Sequence, residues 1–149
     1  MRYTGFLLAG LLALGGSTVC AQTHSTEDSV RDAVDLLFYG MKSSTAAIIR
    51  KSFTDSAILQ TIASPEGRVV TEKVKDFAEI VGKMTSGDAD ERIAVNDLVI
   101  RIDGPLAIVW APYEFYYKGQ FSHRGIDSFQ LVRVNGVWKI QYLIDTRRK

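Results

Sequence analysis

A chain of 149 residues with 18 basic against 17 acidic side chains has no charge excess to attract nucleic acid, and its one cysteine excludes an internal disulfide. The length suits one ordinary domain, so an apolar core has to hold it. The single basic cluster is the tail Arg147-Arg148-Lys149.

The chain opens with Arg2, an apolar run from Phe6 to Leu14, and small residues ending in Val19-Cys20-Ala21. That pattern predicts a secretory signal over residues 1–21, cleaved after Ala21, and a single domain over 22–149 that is exported to the periplasm or medium. The run is shorter than the about 20 apolar residues a membrane span needs, so no membrane partner is expected. Cys20 raises a lipid-anchored alternative, which Ser17-Thr18-Val19 disfavours because it lacks the leucine and the small residue of an attachment site.

Ser25 with Asp28 three residues on has the form of a capping box. Val30, Ala33, Val34, Leu37 and Phe38 then recur at helical spacing, which predicts a helix from Ser25 to Tyr39. A shorter helix follows Ser43-Ser44, with Ala46, Ile49 and Phe53 inward. "SAILQTI" and "RVVT" read as paired strands around a turn at Ser64 to Gly67. A third helix begins near Thr71, with Val74, Phe77, Ala78, Val81 and Met84 on one face. From Arg92 onward, β-branched and aromatic residues dominate, and Asp103-Gly104, Lys118-Gly119 and Asn135-Gly136 mark turns between four long antiparallel strands. Helices first and a meander afterwards make an α+β fold: N-terminal helices packed on a curved antiparallel sheet.

Two-residue loops at the last two turns fix a register. Val134 pairs with Val137, Leu131 with Ile140 and Phe129 with Tyr142; Tyr116 pairs with Phe121, Glu114 with His123 and Trp110 with Asp127. Alternation then gathers Ile108, Trp110, Glu114, Tyr116, His123, Asp127, Phe129, Leu131, Trp138, Ile140, Tyr142 and Ile144 on one face. That face is apolar with three ionisable interruptions, and a charge shut from water without a partner is costly. Opposed strand residues stand about 5 Å apart at Cβ, so Glu114 is expected to meet His123. Asp127 lies about 13 Å along an extended strand from His123 and joins it only if the sheet bends, for which Gly125 is the expected place. Asp145 falls on the other face, where, with Arg147 and Arg124 nearby, it reads as part of a structural ion pair. The other face also carries Val109, Ala111, Tyr113, Phe115 and Tyr117, an apolar surface expected to make a homodimer.

The run "H-x-G-x-D-x-F-x-L" from His123 to Leu131, with the "N-G-x-W-K-I" turn after it, resembles the nuclear transport factor 2-like superfamily, in particular its exported bacterial members of unassigned function. The resemblance covers about Ser25 to Arg147. It implies a cone-shaped fold in which helices close over a strongly bent sheet and leave a cavity, with dimerisation through the sheet. The superfamily holds isomerases, dehydratases, cyclases and non-catalytic binding proteins, so the fold assigns no reaction.

Two readings of the site follow. In the first, Trp110, Tyr142, Phe129 and Ile108 line a pocket for a small hydrophobic or amphipathic molecule whose polar group is oriented by His123, Asp127 and Glu114. In the second, a cofactor-independent isomerase or dehydratase uses His123 or Asp127 as general base, with Tyr142 or Glu114 donating to a developing oxyanion. A third reading, a dimeric interaction module without ligand, applies if side chains fill the cone. A serine triad is disfavoured because Ser122 and Ser128 face away from His123, and no cofactor or metal is expected where one folded-region histidine offers the only nitrogen ligand and no glycine-rich phosphate loop occurs.

Overall fold

The computed structural model describes residues 25–63 and 67–149. The expected secretory segment and most of the Ser64 to Gly67 turn lie outside them. Three helices pack on a mixed, mostly antiparallel seven-stranded sheet that does not close. In chain order these are α1 (Thr26–Lys42), α2 (Ala46–Ser52), β1 (Phe53–Ala63), β2 (Arg68–Glu72), α3 (Val74–Gly82), β3 (Ala89–Ile93), a 3-10 turn at Val95–Asp97, β4 (Val99–Asp103), β5 (Leu106–Tyr117), β6 (Gln120–Val134) and β7 (Val137–Thr146). No helix among the described residues is long and apolar enough to cross a membrane.

α1 starts where the capping box places it: Ser25 Oγ accepts from the Asp28 amide and the Asp28 carboxylate accepts from the Ser25 amide. It buries Val30, Val34, Leu37, Phe38 and Met41 along one stripe and runs on to Lys42. α1 and α2 meet closely at Gly40, where a Cβ would stand 3.0 Å from side-chain carbons of both Ile48 and Ile49. α3 presents Ala78 and Val81 to the same core. The layer between helices and sheet is filled by Ile49, Phe53, Val109, Phe129, Leu131, Trp138 and Ile140. Phe38 meets Phe129 edge-on, with ring centroids 6.1 Å apart.

The sheet runs β2-β1-β7-β6-β5-β3, and β4 pairs with the first half of β5 on the edge whose second half takes β3. β1 lies parallel to β7 and antiparallel to β2, so the meander of the last four strands is extended by a hairpin from the middle of the chain. Both predicted two-residue turns occur, with positive φ at Lys118 and Gly119 and at Asn135 and Gly136, the geometry that matches strand twist. β3 was not anticipated as a separate strand, because its five residues alternate too briefly to stand out.

The predicted register holds near each turn and then slips by one. Val134 faces Val137 and Leu131 faces Ile140, but Gln141 is an extra residue on β7, so Gln130, not Phe129, faces Tyr142. Likewise Tyr116 faces Phe121, but Ser122 is extra on β6, so His123 faces Phe115 and Asp127 faces Ala111. Each bulge turns every later side chain to the other surface and bends its strand toward the cone. Gly125 is not the bulge. It is where β6 and the end of β7 come closest, since a Cβ there would lie 1.7 Å from the Thr146 carbonyl oxygen.

These slips correct eight placements. Ile108, Trp110 and Glu114 stand on the outer surface of β5, about half exposed in the case of the first two. Tyr142 also faces outward and donates its hydroxyl to Gln60 Oε1 at 2.6 Å. Conversely, Val109, Ala111 and Tyr113, expected on the outer dimer face, are buried beneath the helices. Asp145, expected on the outer surface, points inward and is 7% exposed, though it does pair with Arg147 as predicted.

Candidate functional site

Helices and bent sheet enclose a cavity of about 220 Å³. α1 supplies Leu37, Phe38 and Met41; α3 and the turn after it supply Phe77, Ile80, Val81 and Met84. The sheet closes the other side with Leu59, Thr61, Glu72, Glu91, Tyr113, Phe115, His123, Asp127, Leu143, Asp145 and Arg147. The lining is therefore apolar on the helical side and carries ionisable groups on the sheet side, where β2, β3, β5 and β7 each turn one inward and β6 turns two.

Asp127 is buried at 3% exposure, and its Oδ2 has no hydrogen-bond partner among the described residues. Its other interaction is with Glu91, which reaches it from β3 across the strand between them. Two carboxylates cannot readily both ionise side by side in a buried site, so at least one of them stays protonated. Burial first, then the charge of Glu91, drives Asp127 well above the usual carboxylate range. Burial also pushes Glu91 up to about 7, against the opposing effect of the hydrogen bond from Asp127. Asp127, pushed well above the usual range, is the member that keeps its proton.

Beside the pair, Asp145 Oδ2 accepts from the Tyr113 hydroxyl at 3.1 Å and from Arg147 Nε at 2.8 Å. Tyr113 also donates to the Thr146 carbonyl at 3.0 Å, and Arg147 Nη2 donates to Thr61 Oγ1 at 3.1 Å. Burial and the surrounding carboxylates raise the Tyr113 phenol, which therefore stays protonated and able to donate. Arg147 neutralises Asp145, and no cation is hydrogen-bonded to Asp127.

His123 stands at the cavity's edge, half-buried between the rings of Phe115, at 5.1 Å, and Tyr113, at 5.8 Å. Burial and then the charge of Arg147 lower its basicity, with Asp145 opposing, which favours the neutral imidazole. Its Nδ1 lies 3.1 Å from Ser122 Oγ. Glu114 does not reach it: that carboxylate accepts from the Tyr116 hydroxyl on the outer surface.

Of the residues singled out from sequence, the structure brings His123 and Asp127 to the cavity and puts Phe129 in the core beneath it, fully buried. Trp110, Glu114, Tyr142 and Ile108 face away from it. Sequence reasoning missed Glu91, Tyr113, Phe115, Asp145 and Arg147. Glu91 had a readable signal, since Ala89 and Ile93 flank it at period two and mark its side of β3 as the inward one. Its neighbour Asp90 takes the other side and ties β3 down, accepting from Arg92 and pairing with Lys42 of α1 at 3.0 Å.

Three helices over an unclosed, bulged sheet with a cavity between them define a nuclear transport factor 2-like α+β cone. The chain is similar to crystal structures of NTF2-like proteins of unknown function from Shewanella baltica (18% identity, TM-score 0.63, covering 83% of this chain and 94% of that one) and Methylobacillus flagellatus (17%, 0.62, 84% and 95%). It is also similar to a protein from Streptomyces avermitilis described as a "putative dehydratase" of the NTF2-like family (13%, 0.65, 82% and 95%). The chain belongs to the family described as "Putative lumazine-binding", whose model matches residues 25–142. A search of curated proteins finds no match. Family and fold together support a ligand-binding protein of the nuclear transport factor 2-like class.

Proposed function

We propose that this chain is an exported binding protein for a small, largely apolar ring compound that enters the cone and sets a hydrogen-bonding edge against Asp127 and Glu91. The observation that carries the reading is Asp127 Oδ2, buried in the cavity wall without a partner. Such an atom costs free energy in the empty protein that a ligand N–H or O–H recovers. A protonated acid beside a carboxylate offers one donor and several acceptors, which suits an amide-like edge of alternating N–H and C=O groups. Lumazine, the molecule in the family's description, is a bicyclic dione with such an edge. The volume agrees: 220 Å³ is below the about 300–1,000 Å³ of sites for drug-sized ligands, so the occupant is small. Export rests on the signal pattern in residues 1–21. A homodimer is supported by the outer surface, where Leu106, Ile108 and Trp110 of β5 lie in a row, with Val99 of β4 directly opposite Trp110, all about half exposed.

One observation favours a second reading, a cofactor-independent isomerase or dehydratase. A Glu91 carboxyl that titrates near neutrality is matched to proton transfer at physiological pH, and protonated Asp127 beside it can serve as acid. In this version Glu91 is the base, in place of His123.

Titration of lumazine, followed by its own fluorescence, tests the binding reading. Wild type is expected to bind it, Asp127→Ala to lose at least about tenfold in affinity, and Met84→Trp, which fills the cavity, to lose binding altogether. Equal affinity for the three proteins would remove the ligand from the cone. Turnover of an enolisable ring compound by wild type but not by Glu91→Gln would favour the second reading.

A further inference from the structure

The cavity does not end at His123 and Arg147. An open groove of about 890 Å³ continues from it, and Thr61, Glu72, Phe115, His123 and Arg147 line both. Beyond them the groove wall is formed by Tyr117, Ser122, Arg148 and Lys149. The basic tail is therefore the rim of the site.

The cations are held in place by backbone geometry. The Arg148 amide donates to the Arg124 carbonyl at 2.8 Å and the Arg124 amide to the Arg148 carbonyl at 2.9 Å, a bridge that lays the tail along β6. Arg147 is anchored inward by Asp145 and Thr61. Neither Arg148 nor Lys149 has an ion-pair partner among the described residues, and Glu72 is the one acid among those lining the groove. Two unpaired cations at the mouth of a cleft with low-dielectric walls concentrate a positive field there, while the cavity floor holds buried carboxyls and its one guanidinium, Arg147, is already taken by Asp145. The site is thus polar along its length, with anions accepted at the rim and refused at the floor.

From this arrangement we infer that the ligand is an amphipathic anion: an uncharged ring system inside the cone, joined to a phosphate, sulfate or carboxylate group that sits outside against Arg148 and Lys149. The inference rests on the cone being the binding site and adds the charge class and orientation of the occupant. Phe115 and Tyr117, on the wall between floor and rim, give the linking part of such a molecule an aromatic surface.

A pair of fluorescent probes that share a ring system tests it: anilinonaphthalene sulfonate and its sulfonate-free parent, N-phenylnaphthylamine. Wild type is expected to bind the sulfonate more tightly at low salt, with the preference shrinking as salt is added. Replacing both rim cations, Arg148→Gln with Lys149→Gln, is expected to weaken the sulfonate about fivefold and to leave the parent compound unchanged. These side chains are exposed and their backbone bridge does not depend on them, so the fold is retained. No preference for the sulfonate, or a preference that survives the double substitution, overturns the inference while leaving the cone reading intact, provided Met84→Trp still abolishes binding of the parent. If neither probe senses Met84→Trp, the cone reading fails and this inference falls with it.

Discussion

Two buried carboxyls face each other inside this molecule and hold their protons well above the usual carboxylate range, which governs its response to pH. In the unfolded chain Glu91 and Asp127 release their protons near the ordinary carboxylate values of 4.5 and 3.8, whereas in the folded chain burial keeps Glu91 protonated to about 7 and pushes Asp127 well above its ordinary value. Over the interval between, these two carboxyls bind more protons in the folded state than in the unfolded one, so their contribution is fullest below about pH 4 and is lost as pH rises through 7, with the lowered His123 opposing it below its ordinary value of 6.5. Asp90 works in the opposite direction, since burial opposes its charge but hydrogen bonds from Lys42 and Arg92 more than offset that and hold it below 3.8. Its contribution is lost only at more acid pH, outside this interval. The melting temperature is therefore expected to fall between about pH 5.5 and pH 8, and Asp127→Asn, which keeps the shape but cannot ionise, to flatten that slope and add about 1–2 kcal/mol at pH 8. Thermal melts of the two proteins across this range check it; a wild-type curve that rises with pH throughout contradicts the raised carboxyl pair. Sequence alternation found Asp127 and His123 as inward groups because both lie on one strand with the fully buried Phe129. It could not find the pairing with Glu91, because that depends on a short strand reached by a long connection.

At the scale of elements, the bulges at Ser122 and Gln141 decide which side chains reach the cavity. Helix positions, turns and strand order along the last four strands were legible, since capping residues, apolar periodicity and turn dipeptides all act locally. Facing was not. A period of two makes the assignment of every residue beyond a turn depend on a single inserted position, and neither Ser122 nor Gln141 is a glycine or proline that would betray one. Gln141 is used once it is extruded: its Oε1 accepts from Thr54 Oγ1 at 2.8 Å and its Nε2 donates to the Ser56 carbonyl at 3.3 Å, clipping β7 to β1. The strand ends drawn together by this bending meet at Gly125, whose missing side chain leaves room for the Thr146 carbonyl and the Tyr113 ring. Gly125→Ala is expected to cost about 3 kcal/mol, because the obstructing atom is backbone and cannot rotate aside. Urea denaturation measures it, and a loss well under 1 kcal/mol would deny the close approach.

For the whole molecule, the slipped registers exchange the two surfaces of β5: residues expected to join subunits form the core, and residues expected to hold the ligand lie outside. Trp110, 52% exposed with Val99 across from it, is the largest apolar group on that exterior. Trp110→Lys is expected to convert a dimer to a monomer with an unchanged circular dichroism spectrum, as read by light scattering on a sizing column; a wild type already monomeric at high concentration removes the dimer. The parallel pairing of β1 with β7 has a different consequence. The hairpin made early in the chain has no neighbour on its inner side until the final strand arrives, over eighty positions later. As the polypeptide leaves the ribosome it therefore cannot complete its sheet piecemeal. Assembly waits on the farthest contact, which makes for slow acquisition of structure.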